Sequence, residues 1–140
     1  MIFISHSSLN EELAKQIRDD LQKNHYQCFL SGDDLEADDD WHDEIWKALR
    51  SCHAFLGLVT SDFFKSAFCQ QELGAAMAMG KPRLLILHDA TKPPGFAARF
   101  QACKRAKLVE TLNKHKRYRN VRVEAWISAV ESVPTYRDAN

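Results

Sequence analysis

The sequence predicts an α/β fold: one domain built on a parallel sheet of four to five strands, with helices on both faces. Two observations predict it. Short apolar runs alternate with segments whose apolar residues recur at helical spacing, and right-handed crossovers then place the helices on either side of a parallel sheet. The chain has 140 residues, 45% of them hydrophobic and 27% charged, which suits a single hydrophobic core. The domain is expected to span 1–133, with 134–140 a frayed C-terminal tail.

Met1 to Ser5 is an apolar run ending in the polar cluster Ser5-His6-Ser7-Ser8, which reads as a buried strand entering a loop. Ser8 and Glu11 have capping-box spacing, and Leu9, Leu13, Ile17 and Leu21 lie on one helical face, predicting a helix over 10–23. Tyr26 to Leu30 is a second strand, bounded by Ser31-Gly32. An acidic loop then leads to Asp40, an expected N-cap for a helix carrying Trp41, Ile45 and Leu49, with Trp41 packed beside Ile45. Ala54 to Thr60 is a third strand. Leu73, Ala76 and Met77 mark a helix that stops at Gly80-Lys81-Pro82, a termination signal. Leu84 to Leu87 is the fourth strand and Lys107 to Glu110 the expected fifth. Val123, Trp126, Ile127 and Val130 fit one face of a final helix. Ligands of such sheets bind beyond the carboxyl ends of the strands, so chemistry belongs in the loops after Ser5, Leu30, Thr60 and Leu87.

Several function classes are excluded by what is missing. Neither GxGxxG nor GxxxxGK[ST] follows a strand, which removes support for hydride transfer from a dinucleotide and for ATP hydrolysis. No metal is expected, because the histidines are scattered without ligand spacing. Glu44 follows Asp33 at the EF-hand interval, but Leu35, Ala37 and Asp38 occupy positions that need oxygen ligands and glycine. Cys28, Cys52, Cys69 and Cys103 are never closer than seventeen positions, which fits free thiols in a reducing compartment. No apolar run approaches the roughly 18–20 residues of a membrane span, and the start lacks a signal peptide's basic region. A cytoplasmic protein without membrane contact is expected.

The net charge is zero, yet residues 1–50 hold twelve acids against five bases and residues 81–122 hold twelve bases against two acids. Such a separation suits head-to-tail association or an anionic partner. Nucleic acid is not the expected partner, since between Lys104 and Arg122 only Tyr118 could stack on a base.

Five segments, in order, resemble Toll/interleukin-1 receptor (TIR) domains, particularly bacterial ones. They are Phe3-Ile4-Ser5-His6-Ser7-Ser8, Leu35-Glu36-Ala37 with Trp41 and Glu44-Ile45, Cys52-His53-Ala54-Phe55-Leu56, Ser66 through Phe68-Cys69-Gln70-Gln71-Glu72-Leu73, and Gly80-Lys81-Pro82. The resemblance covers residues 2–100 and implies a flavodoxin-like fold. In enzymatic members a glutamate on the helix after the third strand cleaves the nicotinamide-ribose bond of NAD⁺, and that position corresponds to Glu72. NAD⁺ is thus implied as substrate, with no cofactor, giving nicotinamide and either ADP-ribose or a cyclic ADP-ribose isomer.

The resemblance further implies nucleotide contacts at Ser5, His6 and Ser7, of which His6 is the strongest, and a pocket wall at Phe68. It also implies a loop over the nucleotide that includes Phe29, Asp34, Leu35 and Glu36 and packs against a neighbouring copy. Asp38 stands where the family commonly has glycine, which stiffens that loop and bears on assembly. A sensor domain in a longer parent chain, as in anti-phage systems, is a further implied partner. On the plainer reading Glu72 is a surface residue favoured by the helix dipole, Phe68 a core aromatic and Ser7 or Ser8 a helix cap. Rival functions are a non-catalytic TIR-TIR adaptor and a deoxyribosyltransferase-like enzyme, which nucleobase exchange would distinguish.

Overall fold

The computed structural model describes residues 1–31 and 39–121. The expected final helix at Val123–Val130, the tail, and Asp34, Leu35 and Glu36 lie outside the described residues, as does the Trp41 side chain. In chain order the elements are β1 (Ile2–Ser5), α1 (Glu11–Lys23), β2 (Cys28–Leu30), α2 (Asp39–Ser51), β3 (Ala54–Val59), α3 (Ala67–Ala78), β4 (Arg83–Leu87), β5 (Ala102–Cys103) and α4 (Leu108–Lys114). All the strands are parallel, in the order β2-β1-β3-β4-β5. This is the flavodoxin-like order, whose direction reverses between β1 and β3.

Alternation along the strands divides the core in two. Ile2, Ile4, Leu56, Leu58, Leu84 and Ile86 face α1 and α4, where Ala14, Ile17, Leu21, Leu108 and Leu112 meet them. Phe3, Phe55, Val59 and Leu85 face α2 and α3, where Ile45, Leu49, Cys69, Leu73 and Ala76 meet them. Each fully buried Ile, Leu or Phe contributes roughly 1.5–3 kcal/mol of transfer free energy. On the second face Phe3 stacks between Phe29 and Phe55, with ring centroids 5.4 and 5.7 Å away.

Three expectations are corrected. The fifth strand is Ala102–Cys103, pairing with Leu85 and Ile86, and not Lys107–Glu110. Lys107 closes a 3-10 turn, and Leu108 and Leu112 bury one face of α4, so their four-residue spacing was helical. The capping box at Ser8 does not form. Ser7 supplies the cap by accepting from Leu9 N, a 3-10 turn at Ser8–Asn10 precedes α1, and the changed phase leaves Leu9 76% exposed while Ile17 and Leu21 are buried. Asp40 is not the N-cap either, since α2 already begins at Asp39.

The stop at Gly80 forms as expected. Gly80 has φ of 68°, Gly80 N donates to Met77 O and Lys81 N to Ala76 O, the paired bonds of a Schellman motif. Within that helix Met77 is exposed while Leu73 and Ala76 are buried.

Gly57 lies opposite Ser5 in the sheet, and a Cβ there would sit 3.0 Å from Leu85 Cδ2 and 3.2 Å from Phe63 Cζ. Both neighbours are fully buried and have no room to yield. Gly57→Ala is therefore expected to destabilise the fold by about 1–3 kcal/mol, readable in urea denaturation. A midpoint equal to that of the unsubstituted protein would show that the core is looser than these distances imply.

Candidate functional site

The carboxyl ends of the strands collect the polar residues that the core excludes. Ser5, His6, Ser7, Ser31, Thr60 and Glu72 are the buried polar and charged residues among those described, and all but Glu72 lie at or just beyond a strand end. Glu72 comes from α3. That helix is capped by Ser66, whose hydroxyl accepts from Cys69 N at 3.3 Å, and its buried positions are Cys69, Glu72, Leu73 and Ala76. Their i, i+3, i+4, i+7 spacing puts a carboxylate on the face that packs against the sheet.

A buried carboxylate requires partners, since its desolvation costs far more than that of a neutral group. Glu72 has them on both oxygens. Ser5 Oγ donates to Oε1 at 2.8 Å and Ser31 Oγ donates to Oε2. Ser5 ends β1 and Ser31 immediately follows β2, so the ends of two adjacent strands hold the side chain of a helix that packs across them. At 6% exposure Glu72 is no surface residue, so the plainer reading of it as an exposed carboxylate does not hold.

Glu72 nevertheless reaches a cleft between α2 and α3, lined also by His42, Ile45, Trp46, Leu49, Phe68 and Gln71. Phe68 is 42% exposed and Trp46 45%, so neither ring is a core aromatic; Phe68 forms part of the cleft wall. No second carboxylate lines the cleft among the described residues. Among the described residues the arrangement suits electrostatic stabilisation of a neighbouring positive charge in a partly dry setting.

The remaining candidates are placed as follows. His6 is buried, with Nδ1 2.8 Å from Ser7 O; a carbonyl only accepts, so Nδ1 carries the proton and Nε2 is left buried without a partner. His6 is not among the residues that line the cleft between α2 and α3. The Ser7 hydroxyl is engaged as the cap described above. Phe29 precedes Ser31 by two positions on the same strand face, and its ring packs on Phe3 instead of closing over the cleft. Asp34, Leu35 and Glu36 fall outside the described residues.

Ser31, His42, Trp46 and Gln71 were not anticipated. Ser31 had a signal in its position at a carboxyl strand end, whereas the α2 residues needed the packing of two helices to be found. The thiols are poorly suited to nucleophilic chemistry: burial pushes the Cys28 thiol up to about 12 and raises Cys52 and Cys103 as well. No cluster of three or more metal-ligating side chains occurs among the described residues.

Residues 2–120 match the family model described as TIR domain. The structure resembles the TIR domain of the Toll-related receptor TRR-2 from Hydra magnipapillata, with a TM-score of 0.65 at 17% identity, over 86% of this chain and 96% of that one. At that identity the likeness is one of fold. No curated protein matches the sequence.

The Ser5–Glu72 bond has a measurable signature. Ser5→Ala leaves a buried carboxylate oxygen short of a donor and is expected to cost about 1–3 kcal/mol of stability. In a Glu72→Ala background the same substitution should be neutral or stabilising, because the acceptor is gone. Equal costs in the two backgrounds, measured by denaturant titration, would show that the two side chains are not coupled.

Proposed function

The chain belongs to the TIR domain family, and on that premise we propose that it is an NAD⁺ nucleosidase in which Glu72 is the catalytic carboxylate. One observation carries the reading: Glu72 is buried on the sheet-facing side of α3, oriented through both oxygens, and yet lines a cleft with exposed aromatic rings. A carboxylate placed only for stability would not need the cleft, and one placed only for solubility would not be buried.

In the proposed reaction NAD⁺ binds with its nicotinamide ribose beside Glu72. The C1′–N1 bond breaks, its electron pair returns to the ring nitrogen, and the pyridinium leaves as neutral nicotinamide. That leaving group needs no proton, which accounts for a single carboxylate. The positive charge left on the ribose is stabilised by Glu72, whose orientation by Ser5 and Ser31 is set before the charge appears. Water adds at C1′ and releases a proton, giving ADP-ribose; capture by a group of the same nucleotide gives a cyclic isomer instead. Phe68 and Trp46 supply flat apolar surface for the base, and His6, just beyond β1, is a contact for the nucleotide only if the strand end opens to admit it.

Incubation with NAD⁺ at high protein concentration should release nicotinamide, and Glu72→Gln should lower the rate by about a hundredfold or more, the usual effect of removing one electrostatic stabiliser, while the fold is kept. Cys69→Ser should retain at least about a tenth of the activity, because no thiolate takes part. Absence of nicotinamide release would favour a non-catalytic adaptor, whereas full activity in a folded Glu72→Gln protein would remove this carboxylate from the mechanism.

The proposed assembly is head to tail, between copies of the chain, in immune signalling of the anti-phage kind under a sensor domain. Its basis is the separation of an acidic first third from a basic segment over 81–122. A contact between unlike faces propagates into filaments or rings, and salt screens it over a Debye length of about 8 Å. Specific activity should therefore rise with protein concentration, fall with salt, and drop when Asp38, Asp39 and Asp40 are changed together to Asn. Constant specific activity over about a hundredfold dilution, with monomeric sedimentation throughout, would leave a preformed monomeric site in its place; the concentration dependence itself is that of mass action.

A further inference from the structure

At the opposite, amino-terminal edge of the sheet lies a cavity of about 370 Å³ whose lining includes Lys81, Arg83, Arg99, Phe100, Gln101 and Arg117. Among the described residues it is lined by four cationic side chains and no carboxylate, and none of the four is in an ion pair. The cations arrive from separate elements: Lys81 and Arg83 from the entry to β4, Arg99 from the turn before β5, and Arg117 from the turn after α4.

Arg83 is the central group. Its guanidinium lies 4.5 Å from the centroid of the Phe100 ring and donates through one terminal nitrogen to Lys81 O at 3.0 Å. Its Nε is buried without a hydrogen-bond partner. Tyr118 OH is shared between Arg83 O and Gln101 Oε1, both at 3.2 Å, which ties these two lining residues together. The Lys81 ammonium donates to Arg50 O and Cys52 O, so two of its three N–H donors are used and it contributes chiefly positive field.

A buried, charged donor left unsatisfied beside further cations is costly unless an anion completes it. The geometry points to a second binding site, for the phosphate or pyrophosphate group of a small molecule, with Arg83 as its central donor and the exposed Arg99 and Arg117, the latter over the Tyr118 ring at 5.1 Å, as donors at the rim. Guanidinium groups match phosphate oxygens in planar, multidentate fashion. The cavity volume lies in the range of small-molecule sites, which favours a compact anion over an acidic protein segment. Because Glu72 occupies the other edge of the sheet, this site does not depend on the proposed reaction.

Isothermal titration of the 140-residue protein at low salt, with inorganic pyrophosphate and separately orthophosphate, tests it. Saturable binding of one anion per chain is expected, tighter for pyrophosphate and unchanged in Glu72→Gln. The double variant Arg99→Gln, Arg117→Gln, whose altered side chains are both exposed, should bind about tenfold more weakly or worse, as loss of charge-assisted hydrogen bonds implies. Arg83→Met should lose binding while keeping or raising the melting temperature, since it removes the unsatisfied buried donor. The absence of saturable binding at millimolar pyrophosphate, or binding that survives both sets of substitutions, overturns the assignment. So would a peptide of the sequence 33–44 that outcompetes pyrophosphate, which would make the cavity a contact between copies.

Discussion

A carboxylate is an awkward thing to place on the buried face of a helix, and much of this molecule is arranged around having done so. Glu72 can occupy that face only if both its oxygens find donors, and the donors are hydroxyls at the ends of β1 and β2. That requirement fixes the rotation of α3 against the sheet and the level at which the two strands end. It also ties together elements far apart in the chain, since Ser5, Ser31 and Glu72 belong to three separate segments. The order of the sheet makes this possible: β1 lies between β2 and β3, and α3 crosses from β3 to β4 on the face that carries Ser5 and Ser31. The polar cluster thereby falls beside the point where strand direction reverses, where open α/β sheets bind ligands.

The alternation of apolar runs and helical periodicity made the sheet and its first four strands legible, because buried strands and amphipathic faces are repeating signals. The fifth strand was not legible, because its two residues carry no period, and a leucine pair at helical spacing nearby drew the assignment to itself. The start of α1 was legible to within one residue, but its cap was misassigned to Ser8, because no capping pattern in the sequence distinguishes a 3-10 turn over Ser8–Asn10 from a helix start.

Glu72 was legible as a candidate through the motif around it, but its burial was not. Burial follows from its place between Cys69 and Leu73 on one helical face, together with hydroxyls supplied by strands that local pattern does not connect. Phe68 and Trp46 show the same limit from the other side. An aromatic residue in a sequence reads by default as core, and only the packing of α2 on α3 leaves these two rings open to solvent.

The paired hydroxyls have a consequence for discrimination among ligands. The Glu72 carboxylate is already satisfied by two hydroxyls, so a ligand of the proposed site would gain little merely by donating to it; one hydrogen bond would replace another. A ligand that displaces a serine hydroxyl without offering its own leaves a buried charge short of a partner and is rejected. A site of this kind excludes wrong molecules more strongly than it attracts right ones, so its selectivity can exceed what its affinity suggests. For the proposed site, weak binding with sharp choice is the behaviour that such a prefilled carboxylate would impose.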